Sequence, residues 1–129
     1  MFTQIKTSRQ NKAVVTSLTR RLNLGTENII ARMALTYSLS QDRKLELAEI
    51  QDSDGKEYSR NVLFGKYEDI YLGLVCNFYG ISITDRNLAK YIKIHIDDGL
   101  QLINSKLSSL NNIDGFDFIL ELISDKVEH

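Results

Sequence analysis

Residues 2–39 read FTQIKTSRQNKAVVTSLTRRLNLGTENIIARMALTYSL, and this stretch decides the fold. A short extended run, residues 2–6, comes first, and Ser8 then offers the side chain of a helix N-cap. Apolar residues recur behind it at helical spacing as far as Gly25, which predicts a first helix that ends at a glycine turn. Thr26 predicts the cap of a second helix. This unit cannot bury its own apolar faces, so it needs the rest of the chain or a second copy of itself.

Charge is divided unevenly along the chain. Residues 1–44 carry eight basic and two acidic side chains, whereas residues 45–129 carry eight basic and fifteen acidic ones. The formal net charge of -1 therefore hides a strongly polarised molecule. We expect the basic part to attract a polyanion and the acidic remainder to suit a basic protein surface.

The composition is that of one globular domain. A chain of 129 residues can bury a core without disulfides or metal. We predict a single domain over residues 1–129, made of a basic strand–helix–helix unit (1–44) and an acidic helical remainder (45–129). We predict a cytoplasmic protein for three reasons. The chain has one cysteine, no apolar run approaches the ~20 residues of a membrane helix, and the N-terminus lacks an apolar leader.

Beyond the first unit, turns alternate with apolar stripes. A cluster of Asp, Ser and Gly begins residues 51–65, and the loose alternation that follows predicts an extended arm, the least regular part of the protein. Apolar stripes predict helices at 66–79 and 85–110 and a last short helix at 116–123. The predicted fold is mainly α: a compact bundle of about five helices with a short N-terminal strand and this arm.

The sequence contains no catalytic or metal-binding motif, so we predict no catalytic residue, no metal site and no cofactor. His95 flanks the stripe of the long helix and is predicted to pack or to form hydrogen bonds. Cys76 lies among large apolar residues and is predicted to be a structural thiol. Asp97 and Asp98 are adjacent and point different ways on a helix, so we predict solvated carboxylates rather than an acid–base pair.

Basic side chains on the strand and the first two helices favour binding to a phosphate backbone. Two simpler explanations stay open: Arg20 and Arg21 also suit the C-terminal dipole of the first helix, and a basic face can serve solubility alone. The second helix begins at Thr26-Glu27-Asn28, and the free backbone N–H groups there could bind a phosphate. The carboxylate of Glu27 competes with an anion at this place.

Two families resemble this pattern. The strand–helix–glycine–helix unit resembles a ribbon-helix-helix DNA-binding unit, in which Gln4 and Lys6 would project from paired strands toward the bases. Most of the chain resembles the DndE family of the bacterial DNA phosphorothioation (sulfur-modification) system. The matching pieces are Ile5-Lys6, Leu24-Gly25-Thr26 leading into Asn28–Leu35, Ser38-Leu39, Glu57–Arg60, Leu63–Tyr67 and His95-Ile96 near Gly99.

The second resemblance implies a non-catalytic accessory subunit that binds double-stranded DNA, intact or nicked. It also implies homo-oligomers and association with DndC- and DndD-type proteins, which carry out the chemistry. The resemblance makes Lys6, Arg9, Lys12, Arg20, Arg21 and Arg32 candidate phosphate contacts, and Arg43 and Lys44, the last basic residues of the unit 1–44, complete the predicted DNA-binding set. The alternatives are a ribbon-helix-helix repressor, which would prefer its operator by roughly a thousandfold, and a protein–protein adaptor without DNA affinity.

Overall fold

The computed structural model describes residues 2–109 and Ile123. Its strands are β1 (Gln4–Lys6) and β2 (Glu57–Ser59), and its helices are α1 (Arg9–Leu22), α2 (Glu27–Ser40), α3 (Arg60–Phe64), α4 (Glu68–Tyr79) and α5 (Leu88–Ser108). Single 3-10 turns occur at Leu47–Glu49 and Gly65–Tyr67. The mainly α prediction is confirmed. The helix predicted at 116–123 lies outside the described residues, apart from Ile123, which is exposed.

Helix α1 begins where the sequence predicts. The Ser8 hydroxyl accepts a hydrogen bond from the N–H of Asn11 at 3.2 Å, as an N-cap does. The helix ends at Leu22, three residues before Gly25, because Asn23 takes the left-handed conformation (φ 52°) and its N–H donates to the carbonyl of Thr19. Asparagine tolerates that conformation better than most residues, so no glycine is needed at the helix end.

The core lies between α5 and the two N-terminal helices. Helix α2 makes its most extensive contact with α5. The apolar residues that are fully buried along this seam include Ile30, Ala34, Leu35, Ile92, Ile96, Leu100 and Ile103. Helix α1 closes a second side of α5 with Val15, Leu18 and Leu22. No helix in the described part of the chain is long and apolar enough to cross a membrane.

The two strands pair antiparallel within the chain, with Ile5 opposite Tyr58. These two side chains are buried, and the strands turn Gln4 and Lys6 to the exposed face. The other edge of β1 is closed at Lys6, whose carbonyl accepts a hydrogen bond from Lys93 Nζ at 2.9 Å. A ribbon-helix-helix unit pairs this strand with a second chain, so β1 is arranged differently from that resemblance.

The segment at 51–65 is more regular than the sequence indicates. Its first half packs on the junction between β1 and α1, where Gly55 N–H donates to the carbonyl of Thr7 at 3.0 Å. Its second half forms β2 and α3. Ser59 caps α3 by accepting from the N–H of Val62 at 3.2 Å, and the helix buries Leu63 and Phe64 completely. Three- and five-residue elements are too short to give a periodic signal.

Asp97 is buried, which contradicts the prediction of a solvated carboxylate. It forms an ion pair with Lys93, one helical turn earlier, with Nζ and Oδ2 2.9 Å apart. Its other oxygen accepts from the N–H of Ser8 at 3.0 Å and from Asn11 Nδ2 at 2.7 Å. Lys93 also donates to the carbonyls of Lys6 and Asp52. This buried pair therefore connects β1, α1 and the loop at Asp52 to α5.

Candidate nucleic-acid interface

The outer face of α1 carries a row of basic side chains, hereafter the α1 stripe: Arg9, Lys12 and Arg20. Helical spacing places all three on the side away from the buried residues, with Thr16 between them. All three are exposed. Helix α1 contains no acidic residue, and none occurs in the first 26 positions of the sequence. The stripe is thus a single-sign surface on a rigid element.

The α1 stripe is largely free of internal ion pairs. Within residues 2–109, the side chains of Arg9, Lys12 and Arg20 have no carboxylate within salt-bridge distance. One carboxylate stands near its start, because the N–H of Arg9 donates to Asp52 Oδ1 at 2.8 Å. That bond is the largest cause of the lowered pKa of Asp52. This carboxylate lies at the N-terminal end of the stripe, and Arg21 is exposed at the other end of α1.

Lys6 and Lys44 are exposed cations away from the stripe. Lys6 projects from the outer face of β1, directly opposite Glu57 of β2 in the strand register. Lys44 lies in the loop after α2. Its neighbour Arg43 is neutralised, since Nη2 forms an ion pair with Asp98 Oδ2 at 2.6 Å.

Arg32 differs from the other candidates because its guanidinium is used inside the protein. It is half-buried, and Nε donates to the carbonyl of Leu63 while Nη2 donates to that of Val62 at 3.4 Å. These carbonyls belong to the last turn of α3, where a short helix leaves acceptors unpaired. Arg32 therefore joins α2 to α3, and no local pattern indicates this role because the partners are about thirty positions away.

The N-terminus of α2 is occupied by its own carboxylate. Glu27 Oε1 accepts from the hydroxyl of Tyr58 at 3.3 Å and lies 3.4 Å from Lys56 Nζ. Burial, with the neighbouring Glu27, raises the pKa of Tyr58, so the hydroxyl stays protonated and donates. The competition that the sequence suggests at this helix start is therefore present, and we place no phosphate there.

A buried polar cluster, which the sequence does not reveal, joins α2, α4 and α5. Ser38 Oγ is 2.8 Å from His95 Nδ1, and His95 Nε2 is 2.6 Å from the hydroxyl of Tyr79. Ser38 and His95 have no exposed surface. Burial lowers the pKa of His95 to about 4, so the imidazole is neutral at pH 7. The prediction of a hydrogen-bonding histidine is confirmed.

This cluster does not form a nucleophilic site. A serine–histidine pair attacks a substrate only if the hydroxyl can reach it, and the side chain of Ser38 is enclosed. Cys76 is half-buried against the core, and burial raises the pKa of its thiol, which keeps it in the unreactive protonated form. Neither Ser38 nor Cys76 therefore offers an accessible, activated nucleophile.

Comparisons with known proteins agree with the resemblance seen in the sequence. A family model described as DNA sulphur modification protein DndE matches residues 4–111. The crystal structure of DndE from Escherichia coli B7A, involved in DNA phosphorothioation modification, is similar with a TM-score of 0.63 and 20% identity, covering 78% of this chain and 96% of that one. A mutant DndE involved in DNA phosphorothioation gives 0.66 and 19%, covering 79% and 97%. No curated protein matches the chain.

Proposed function

Because the chain belongs to the DndE family of DNA sulphur modification proteins, we propose that it acts in phosphorothioation as a non-catalytic DNA-binding subunit. In this proposal the α1 stripe lies along the phosphate backbone of duplex DNA, and DndC- and DndD-type proteins perform the sulfur chemistry. The single observation that carries the proposal is the acid-free, exposed row of cations on α1.

The length of α1 suits a backbone contact. Arg9 and Arg20 are eleven residues apart, which is about 17 Å along a helix axis, or the rise of about five base pairs. Each cation that neutralises a phosphate releases condensed counterions, and this release drives binding without reading sequence. Lys6, Arg21 and Lys44 lie outside the stripe, and we include them as further phosphate contacts because they are exposed cations. Arg32 is left out because α3 uses its guanidinium, and Arg43 contributes by holding its loop.

The ribbon-helix-helix alternative is less well supported. A repressor of that class needs β1 to pair with its counterpart in a second chain. Here β2 pairs with one edge of β1. On the other edge, Lys93 Nζ donates a hydrogen bond to the Lys6 carbonyl. A protein–protein adaptor without DNA affinity is the remaining alternative.

A gel-shift titration against intact and nicked duplexes of several sequences, at two salt concentrations, tests the proposal. We expect the logarithm of affinity to fall with the logarithm of salt by about 0.9 per neutralised phosphate and to vary little among sequences. A preference for one sequence of roughly a thousandfold would favour a repressor. No binding at physiological salt would refute the proposal and favour an adaptor.

A further inference from the structure

A directed chain of hydrogen bonds runs through the buried polar cluster to both sides of Lys44. On one side, the N–H of Leu45 donates to the hydroxyl of Tyr79 at 2.9 Å, and that hydroxyl is 2.6 Å from His95 Nε2. On the other side, Ser38 Oγ is 2.6 Å from Asp98 Oδ2, which also holds Arg43 at 2.6 Å. His95 and Ser38 join the two halves.

The direction of each bond follows from the carboxylate. An ionised Asp98 can only accept, so Ser38 must donate its proton to it. The oxygen of Ser38 is then free to accept from His95 Nδ1–H, which leaves Nε2 as an acceptor for the Tyr79 hydroxyl. The oxygen of Tyr79 in turn accepts from Leu45 N–H. One tautomer of the neutral imidazole therefore gives Ser38, His95 and Tyr79 a partner at the same time, and a satisfied polar network is rigid.

Lys44 stands between the two ends of this chain. Arg43 before it is fixed to α5 through Asp98, and Leu45 after it is fixed to α4 through Tyr79. The side chain of Lys44 itself is exposed and has no partner among the described residues. Because both residues that flank Lys44 are held to helices, the backbone of Lys44 has a fixed position.

We propose that Tyr79 and His95 are positioning residues, which hold the loop after α2 so that Lys44 meets a DNA phosphate. This inference rests on the proposed function and adds to it an energetic link between the Tyr79–His95 pair and one surface cation. Pre-organisation of this kind adds to binding because the loop need not be ordered when DNA arrives.

The test removes one hydroxyl. Tyr79→Phe keeps the ring that stacks on Tyr91, with centroids 3.9 Å apart, but deprives Leu45 and His95 of their partner. The matched control is Tyr91→Phe, because the Tyr91 hydroxyl has no hydrogen bond within residues 2–109. DNA affinity and salt slope are measured for both variants, for Lys44→Ala, and for Tyr79→Phe combined with Lys44→Ala.

We expect Tyr79→Phe to speed hydrogen exchange at the Leu45 amide and to lower the salt slope by up to about 0.9, the loss of one phosphate. The double variant should bind no more weakly than Lys44→Ala alone, since the tyrosine acts through the lysine. Additive losses, or an unchanged affinity of Tyr79→Phe, would overturn this inference alone. A wild-type chain without salt-dependent binding would overturn the proposed function and this inference together.

Discussion

Gly99 of α5 lies so close to Ala34 of α2 that a Cβ atom added at position 99 would stand 1.9 Å from the Ala34 carbonyl oxygen. Two helix backbones meet at this point, in the seam that forms most of the core. Only a residue without a side chain permits this approach, so the packing of the fold depends on Gly99.

We expect Gly99→Ala to destabilise the protein by about 3 kcal/mol, because the helices must separate to admit the methyl group. Gly73→Ala is the matched control, since a Cβ there would meet nothing within 4 Å. That variant should gain about 0.5–1 kcal/mol from the better helix propensity of alanine. Urea unfolding measures both, and equal effects of the two substitutions would contradict the close contact.

The ion pair between Lys93 and Asp97 gives a second prediction. Asp97→Ala leaves a buried ammonium without its counter-charge and the N–H of Ser8 without an acceptor, so we expect a loss of about 3–5 kcal/mol. The exposed Asp69→Ala, also on a helix, should change stability by less than about 0.5 kcal/mol. The free energy of unfolding in urea distinguishes them. A small effect of Asp97→Ala would mean that water reaches Lys93.

The buried imidazole predicts a dependence of stability on pH. In the fold, burial is the main cause that lowers the pKa of His95 to about 4, with Arg43 lowering it and Asp98 raising it, whereas the unfolded value is near 6.5. Between these values the unfolded chain binds a proton that the folded chain does not, so stability falls as pH drops. The fall is up to about 1.4 kcal/mol per pH unit.

His95→Gln provides the control for this prediction, because it removes the titrating group and leaves the carboxylates in place. The difference between the wild-type and variant unfolding curves, measured from pH 7 to pH 4, isolates the histidine. Parallel curves over that range would show that His95 titrates normally in the fold.

The α1 stripe predicts a change in salt dependence. Lys12→Ala combined with Arg20→Ala should lower the slope of affinity against salt by about 1.8, two phosphates at 0.9 each, and should weaken binding equally for all sequences. Lys90→Ala, an exposed lysine on α5, is the matched control. A larger effect of Lys90→Ala than of the double variant would move the DNA surface away from α1.

Helix caps and apolar periodicity predicted the elements whose structure depends on neighbouring residues in the sequence. Ser8 and the apolar spacing behind it located α1, and the charge count identified residues 1–44 as the basic part of the chain. The short elements β2 and α3 were not predicted. Strand β2 is stabilised by pairing with β1 and α3 by burial of Phe64, so neither depends on its own periodicity.

Long-range polar partners could not be read from the sequence. Arg32 looked like another surface cation, yet its guanidinium serves carbonyls on α3. Ser38 and His95 are 57 positions apart, and no spacing rule connects them. The i, i+4 spacing of Lys93 and Asp97 was visible, but only the fold shows that both are buried. The long-range contacts of a cation therefore decide whether it is available to a ligand.

The fastening of α1 also bears on how the chain folds. Its first turn is held by Asp97, 89 positions away from Ser8, and the strand before it pairs with β2 across more than fifty residues. Contacts of such sequence separation form late, because the intervening chain must first be ordered. Because Ser38 and His95 join α2 to α5 across 57 positions, fewer than the 89 that separate Ser8 from Asp97, we expect the contact of α1 with α5 to form after that of α2 with α5. Mutations at Ser8 or Asp97 should slow this step, although they leave the exposed cations unchanged.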